Sequence, residues 1–105
     1  MTQVHFYNES VKEFFQSLQT NIRSKVLRIF HLLETYGSQL EMPHSRTLGH
    51  GLFELRIPGT VHVRFLYMFR LDWAIILHGF YKKTWKIPLQ DLELGRGRKK
   101  LIEGR

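Results

Sequence analysis

The hydrophobic pattern divides the chain into a helical half followed by a strand-forming half. After a short β-prone segment at residues 4–7, apolar residues recur every three or four positions in two adjacent stretches. The first follows Asn8 and Ser10, either of which can cap a helix, and the second begins at the candidate cap Thr20-Asn21 and ends at Gly37. We therefore predict a first strand and then two antiparallel helices joined by about two residues.

A period of two replaces the helical period in the second half of the chain. Apolar and polar residues alternate over residues 52–57 and 61–70, on either side of Pro58-Gly59-Thr60, which predicts an antiparallel hairpin. Residues 73–81 form a nearly continuous apolar run, which is typical of an interior strand covered on both faces. Residues 38–45 show neither period, and we expect a loop there.

The connection between the two hairpin strands decides which side chains lie opposite one another. A three-residue connection pairs Glu54 with Arg64 and Arg56 with His62, and it leaves the apolar residues together on the other face. A two-residue connection would place Arg56 among the valines, so burial favours the longer one. We therefore predict that one face of the hairpin carries all four polar residues.

The C-terminal segment combines a weak helix signal with a basic run. Pro88 suits the first position of a helix, whereas Gly95 and Gly97 disfavour its continuation. We expect the basic run at residues 96–100 to be mobile rather than packed.

The predicted domain organisation is a single domain over residues 1–95 and a basic tail over residues 96–105. Residues 102–105 match a protease-recognition tetrapeptide that is often added to recombinant proteins, so no functional role is predicted for them.

Size and charge favour a soluble, basic protein with one core. The 105 residues include 16 Lys and Arg against 9 Asp and Glu, a net charge of +7 that favours polyanionic partners, with nucleic acid as the leading class. A membrane surface is the competing polyanion, but the chain has no apolar run of transmembrane length, no signal-peptide pattern and no strongly basic amphipathic helix. We therefore expect a cytoplasmic protein. The absence of cysteine excludes disulfides and thiolate zinc sites.

The last predicted strand changes character within one residue, from apolar to cationic and aromatic. The residues concerned are Tyr81, Lys82, Lys83, Trp85 and Lys86. Positive charge combined with flat rings can hold a phosphate backbone and stack bases, although an ordinary solvated strand end would look the same. The predicted RNA contacts are Trp85, Lys86, Arg96 and Arg98.

Known catalytic motifs leave few options for chemistry. The chain has no Gly-rich phosphate loop, no nucleophile motif and no metal-spaced cluster, so neither a metal site nor a cofactor is predicted. Metal-free RNA cleavage requires removal of the 2′-OH proton, neutralisation of the phosphate and protonation of the leaving 5′-oxygen. Arg56 and Arg64 suit the second task, and Lys, His, Tyr or Glu suit the others. Salt bridging of both arginines to Glu54 is the alternative, and both explanations remain open.

Three motifs, taken with the order of elements, resemble the RelE/HigB-type toxins of bacterial toxin–antitoxin modules, in particular their phage-derived HigB-like branch. The motifs are Gly51-Leu-Phe-Glu-Leu-Arg56, Val63-Arg-Phe-Leu-Tyr67 and Leu77-His-Gly-Phe-Tyr-Lys-Lys-Thr84, followed by Pro88. The resemblance covers residues 2 to 95. It implies an α+β fold with an N-terminal strand, a two-helix antiparallel hairpin, antiparallel strands in a curved sheet and a short C-terminal helix.

The same resemblance implies a ribosome-dependent mRNA endoribonuclease. Such an enzyme needs no metal or cofactor, cuts by 2′-OH attack to leave a cyclic phosphate, and is held inactive by an antitoxin, so the implied partners are a cognate antitoxin, the ribosome and mRNA. The implied catalytic residues are Arg56, Arg64, Lys82 and Lys83, and the candidate acid, base or supporting groups are Glu54, His62, His78 and Tyr81. The resemblance does not identify the general base in this sequence, because RelE relatives vary their acid and base residues widely. It also leaves the oligomeric state open.

Two other functions fit the same pattern. ParE-type toxins are similar in fold, inhibit DNA gyrase by binding and lack the basic catalytic set, and a degenerate relative would bind RNA without cutting it. The two lysines raise a separate question, since neighbouring residues on a strand point to opposite faces. A bulge after Tyr81 would place Lys82 on the face of Arg64, whereas unbroken alternation from Tyr81 would place Lys83 there.

Overall fold

The structure is a computed structural model that describes residues 2–59, 62–83 and 86–104. In these ranges it contains five strands and three α-helices. They are β1 (Gln3–Phe6), α1 (Glu9–Ser17), α2 (Thr20–Tyr36), β2 (Ser45–Gly49), β3 (Leu52–Arg56), β4 (Val63–Arg70), β5 (Trp73–Tyr81) and α3 (Leu89–Glu103). A short 3-10 turn, Gly37–Gln39, follows α2. The predicted α+β class is confirmed.

The helical hairpin forms as the hydrophobic period predicts, with two residues between its helices. Asn8 is the cap of α1, because its side-chain oxygen accepts a hydrogen bond from the Val11 backbone N–H at 3.0 Å. The predicted cap at Thr20-Asn21 is wrong, since the N-cap of α2 is Gln19 and its side chain makes no capping hydrogen bond. Gly37 ends α2 with a φ of 55°, a left-handed conformation that favours glycine.

The five strands form one mixed sheet in the order β1-β5-β4-β3-β2. β1 pairs with β5 in parallel, whereas the other neighbouring pairs are antiparallel. The predicted interior strand is confirmed, because β5 lies between β1 and β4 with its central residues buried. The loop predicted at residues 38–45 ends at the first residue of β2, an edge strand that the sequence did not predict.

The register of the β3–β4 hairpin differs from the prediction by two residues. Arg56 lies opposite Arg64, and Glu54 lies opposite Leu66, so the predicted Glu54–Arg64 and Arg56–His62 pairs are wrong. A shift of two residues preserves the face of every side chain, because the period of a strand is two. The polar and apolar faces of the hairpin are therefore the predicted ones.

A longer connection between the two strands explains the shift. The Ile57 N–H donates to the Val63 carbonyl at 3.4 Å, which extends the hairpin by one pair, so that it ends at Ile57 opposite Val63. Thr60, the last residue of the predicted three-residue turn, lies outside the described residues.

The two faces of the sheet support two hydrophobic cores. Helices α1 and α2 cover one face and enclose the larger core, which includes Val26, Leu33, Leu55, Phe65 and Ile76. Helix α3 covers part of the other face. The buried residues under it are Leu52, Leu66, Met68, Ile75, Leu77 and Phe80.

Helix α3 continues through both glycines that were expected to interrupt it. A Cβ on Gly95 would lie 2.5 Å from Cδ1 of Leu66, so the glycine allows the helix to approach the sheet closely. The basic run at residues 96–100 is helical, which corrects the expectation of a mobile segment. The helix-weakening composition is overridden by burial of the apolar residues beneath it.

The two glycines of α3 should respond oppositely to alanine. Gly97→Ala should raise the free energy of unfolding by about 0.5–1 kcal/mol, because nothing lies within 4 Å of the added Cβ and alanine favours the helix. Gly95→Ala should lower it, since overpacking against Leu66 costs about 1–3 kcal/mol and exceeds the helical gain. Urea denaturation measures both changes. Equal stabilisation by the two substitutions would contradict the close approach of α3.

Candidate active site

Helix α3 leaves one end of its sheet face uncovered. Along β4 the contacts with α3 run from Arg70, which donates to the Ile102 carbonyl at 3.3 Å, to Leu66 beneath Gly95. Beyond Leu66, the next residue of β4 whose side chain lies on the α3 face of the sheet is Arg64. Polar residues therefore replace apolar ones at the point where the helix no longer covers the sheet.

A single carboxylate organises this end of the sheet. The Glu54 side chain is completely buried, and four cationic side chains surround it. The distances are 3.2 Å from Oε1 to Arg46 Nη2, 3.8 Å from Oε1 to Arg56 Nε, 3.8 Å from Oε2 to Arg64 Nε and 3.5 Å from Oε2 to Lys82 Nζ. We call Arg46, Arg56, Arg64 and Lys82 the cation cluster.

The members of the cation cluster differ in their access to solvent. Side-chain exposure is 7% for Lys82, 12% for Arg64, 29% for Arg56 and 42% for Arg46. Lys82 and Arg64 therefore form the floor of the site, and Arg56 and Arg46 form its rim. An anion that approached from solvent would meet the rim first and Arg64 behind it.

The negative charge of Glu54 only partly compensates the cation cluster. Glu54 Oε1 and Arg64 Nε are buried without a hydrogen bond. Arg64 Nε is 3.8 Å from Glu54 Oε2, which is too long for a hydrogen bond, and the 3.2 Å contact of Oε1 with Arg46 makes an ion pair without one. Burial lowers the pKa of Arg64, with Arg56 and Arg46 acting in the same direction and Glu54 against it. An oxyanion with several acceptor oxygens would supply the missing charge and hydrogen bonds.

The position of Lys82 in the cluster depends on a β-bulge. The β4–β5 register shifts between Leu66, which pairs with His78, and Tyr67, which pairs with Ile76. The bulge thus lies before Tyr81 rather than after it.

With this register, Tyr81 points to the α1 side of the sheet, where its ring lies 5.4 Å from that of Phe14. Lys82 is therefore on the face of Arg64, for a reason that differs from the predicted one. Tyr81, a predicted candidate acid, base or supporting group, thus lies on the opposite face of the sheet from the cation cluster.

The remaining residues predicted for catalysis are spread over the chain. Lys83 follows the end of β5 and is exposed. His62 is exposed and lines a cleft beside Arg56 and Arg64. His78 lies apart from the cation cluster, since its Nε2 is 2.6 Å from Oδ1 of Asp91 on α3.

The residues predicted to contact RNA are also separated from one another. Arg98 supports the fold, because it donates to the Leu77 carbonyl at 2.6 Å and lies 5.2 Å from the centre of the Tyr7 ring. Arg96 and Lys86 are exposed. Trp85 lies outside the described residues.

Arg46 is the member of the cation cluster that the sequence analysis missed. It lies on β2 directly opposite Glu54. A signal for this strand exists, since residues 45–48 end in Gly49-His50-Gly51, a turn signal that immediately precedes β3. The predicted loop ended at Ser45 and the predicted alternation began at Leu52, so Arg46 fell between them and was not assigned to a face.

Residues 13–100 match the family described as "Phage derived protein Gp49-like (DUF891)". The chain belongs to this family. No curated protein matches it. Among solved structures, the free-state structure of the E. coli toxin RelE, a double mutant, has a TM-score of 0.64 over 88% of this chain and 95% of that chain, at 7% sequence identity. At this identity the likeness shows the fold alone.

The family and the fold confirm the predicted resemblance of this Gp49-like protein to RelE/HigB-type toxins. Within the described ranges, no helix has the length and apolar character needed to cross a membrane. No group of three or more His, Asp or Glu side chains in those ranges is placed to hold a metal ion.

Glu54→Gln should strongly destabilise this Gp49-like protein. Loss of the carboxylate leaves Arg64 and Lys82 buried without a counter-charge, and breaking a buried ion pair in this way costs about 3–5 kcal/mol. Urea denaturation measures the loss, and sulfate should recover part of it by replacing the missing anion. The control is Glu13→Gln on the exposed surface of α1, expected to change stability by no more than about 0.5 kcal/mol. Equal stability of both variants would show that the cations do not depend on Glu54.

Proposed function

We propose that this Gp49-like protein is the toxin of a toxin–antitoxin module and that it cleaves mRNA on the ribosome. The observation that carries the proposal is the cation cluster, which gathers four positive side chains around one carboxylate at an uncovered end of the sheet. Its excess positive charge suits the phosphodiester of an RNA chain. RNA is favoured over a small anion because the whole chain carries a net charge of +7.

In the proposed reaction the ribose 2′-OH attacks the adjacent phosphate. Arg64 and Arg56 contact the non-bridging oxygens, where negative charge accumulates in the pentacoordinate transition state, and each guanidinium can donate two parallel hydrogen bonds. Lys82 pairs with Glu54 at 3.5 Å and holds the carboxylate that positions both arginines. The reaction needs no metal ion, because the side chains of the cluster supply the positive charge.

Ribosome dependence follows from the shape of the site. The cleft beside the cation cluster has a volume of about 270 Å³, and its lining residues Pro58, Gly59 and His62 are exposed. Such a site can bind a phosphate but has little surface with which to align a flexible RNA strand for in-line attack. The ribosome would hold the message in the reactive geometry. Since ribosomes and messages are cytoplasmic, the proposal also places the protein in the cytoplasm.

Arg64→Ala should reduce the rate of cleavage on programmed ribosomes by about 10²–10³-fold, the loss expected for one preorganised transition-state donor. Lys82→Ala should give a similar loss, whereas Lys83→Ala should cleave nearly as fast as the wild type because Lys83 lies outside the cation cluster. Single-turnover kinetics with toeprint or primer-extension detection measures all three.

Wild-type rates for both Arg64→Ala and Lys82→Ala would remove the cation cluster from the mechanism. Inhibition of gyrase supercoiling by the wild-type protein, without any RNA cleavage, would favour a ParE-like activity instead. Binding of message without cleavage would indicate a non-catalytic relative. Efficient cleavage of free RNA would contradict the role of the ribosome.

The proposed antitoxin carries an acidic, partly disordered segment that covers the cation cluster. One extended acidic element can both neutralise the positive face and block access to Arg64. Affinity for the toxin should therefore fall as salt rises, and Arg46→Glu should weaken the complex at low salt because Arg46 lies on the exposed rim. Calorimetric titration at two salt concentrations tests this. A partner that binds equally well to the variant, and leaves Arg64 accessible, would contradict occlusion.

A further inference from the structure

Two histidines line the cleft beside the cation cluster, together with Arg56 and Arg64. They are His44, which precedes β2, and His62, which precedes β4. Both are fixed at the backbone: the His44 carbonyl accepts a hydrogen bond from the Arg56 N–H at 2.8 Å, and the His62 carbonyl accepts one from the Lys82 N–H at 2.8 Å.

These two hydrogen bonds extend the β2–β3 pairing and the β4–β5 pairing by one residue pair each. The β2–β3 register continues to His44 opposite Arg56, and the β4–β5 register continues to His62 opposite Lys82. Residues directly opposite one another in a sheet point to the same face. Both imidazoles therefore lie on the open face that carries the arginines.

The spacing of the strands separates the two histidines. The strands that carry His44 and His62 have β3 between them, and His62 lies two residues farther along the sheet, so their backbones are about 12 Å apart. Arg56 lies on the intervening strand β3, whereas Arg64 lies on the strand of His62, two residues from it. A phosphate bound at the end of β3 beside Arg56 would have one imidazole on each side, with Arg64 next to it.

This arrangement matches the needs of in-line attack on a phosphodiester. The attacking 2′-oxygen and the leaving 5′-oxygen lie on opposite sides of phosphorus, so the base and the acid must also be on opposite sides. Histidine suits both roles, because it is the side chain whose ordinary pKa of about 6.5 allows both protonation states near neutral pH.

Other candidate proton-transfer groups are engaged elsewhere. Tyr81 lies on the α1 face of the sheet, His78 is paired with Asp91, and Glu54 is enclosed by the cation cluster. Among the described residues lining the cleft, the imidazole side chains are those of His44 and His62, and neither is engaged in this way.

We propose that His44 and His62 are the proton-transfer pair of the cleavage reaction, an inference that rests on the proposed ribonuclease function. One neutral imidazole takes the proton of the 2′-OH as the 2′-oxygen forms its bond to phosphorus. The bond from phosphorus to the 5′-oxygen breaks, and the other histidine, present as imidazolium, gives its proton to that oxygen. The products are a 2′,3′-cyclic phosphate and a 5′-hydroxyl.

The test compares His44→Gln and His62→Gln with the wild type in single-turnover cleavage on programmed ribosomes. Each variant should be slower by about 10²–10⁴-fold, the usual contribution of a general acid or base. The matched control is His31→Gln, on the exposed surface of α2, which should cleave at the wild-type rate. Affinity for ribosomes carrying a 2′-deoxy message, which cannot react, should be unchanged in all variants.

A message with sulfur in place of the leaving 5′-oxygen separates the two roles. A thiolate leaves without a proton, so this substrate should restore nearly wild-type cleavage to the variant that lacks the acid and not to the variant that lacks the base. The identity of the rescued variant assigns the roles of His44 and His62.

The outcomes distinguish the inference from the function on which it rests. Cleavage by the wild type, with undiminished rates in both histidine variants, overturns the inference alone. So does slow cleavage that the thio substrate restores in neither variant, or loss of affinity for the 2′-deoxy message equal to the loss of rate. No cleavage by the wild type on any ribosome complex overturns the proposed function itself.

Discussion

The open end of the sheet depends on the burial of Glu54 among four cations. A carboxylate without solvent is tolerated only when opposite charges surround it, and Arg64 and Lys82 are in turn tolerated at the floor of the site because of Glu54. The cluster holds more positive than negative charge. The interaction that stabilises this end of the fold therefore also leaves it able to bind an anion.

The end of α3 separates two kinds of residue on this face of the sheet. Residues under the helix pack against it, and residues beyond the helix form the candidate site. The helix packs closely on Leu66 through Gly95, and it uses Arg98 and Asp91 for contacts with β5. Two basic or titratable residues that looked functional in the sequence, Arg98 and His78, are thereby committed to packing. Beyond the helix, the rim residues Arg46 and Arg56 keep their guanidinium groups partly accessible to solvent.

Positioning of the reactive groups comes from the strand ladder rather than from loops. Arg56 and Arg64 are cross-strand partners, and His44 and His62 each extend the ladder by one hydrogen-bonded pair. Backbone hydrogen bonds thus place four groups at the regular spacing of the sheet. These are the two histidines proposed as base and acid, and the two arginines proposed to bind the phosphate. Such rigid placement suits a site whose substrate, the message, is proposed to be aligned by the ribosome.

The sequence by itself determined the helical hairpin, the interior strand and the division of β3 and β4 into a polar and an apolar face, because these features depend on local periodicity. It did not determine the register of the hairpin, the bulge before Tyr81 or the edge strand that carries Arg46, since these depend on which residues meet across the sheet. For the same reason the sequence did not place His44 at the site, because the residue it pairs with, Arg56, is distant in sequence. Only tertiary packing could decide that α3 runs through Gly95, because a glycine that weakens an isolated helix is favourable where that helix must lie against Leu66.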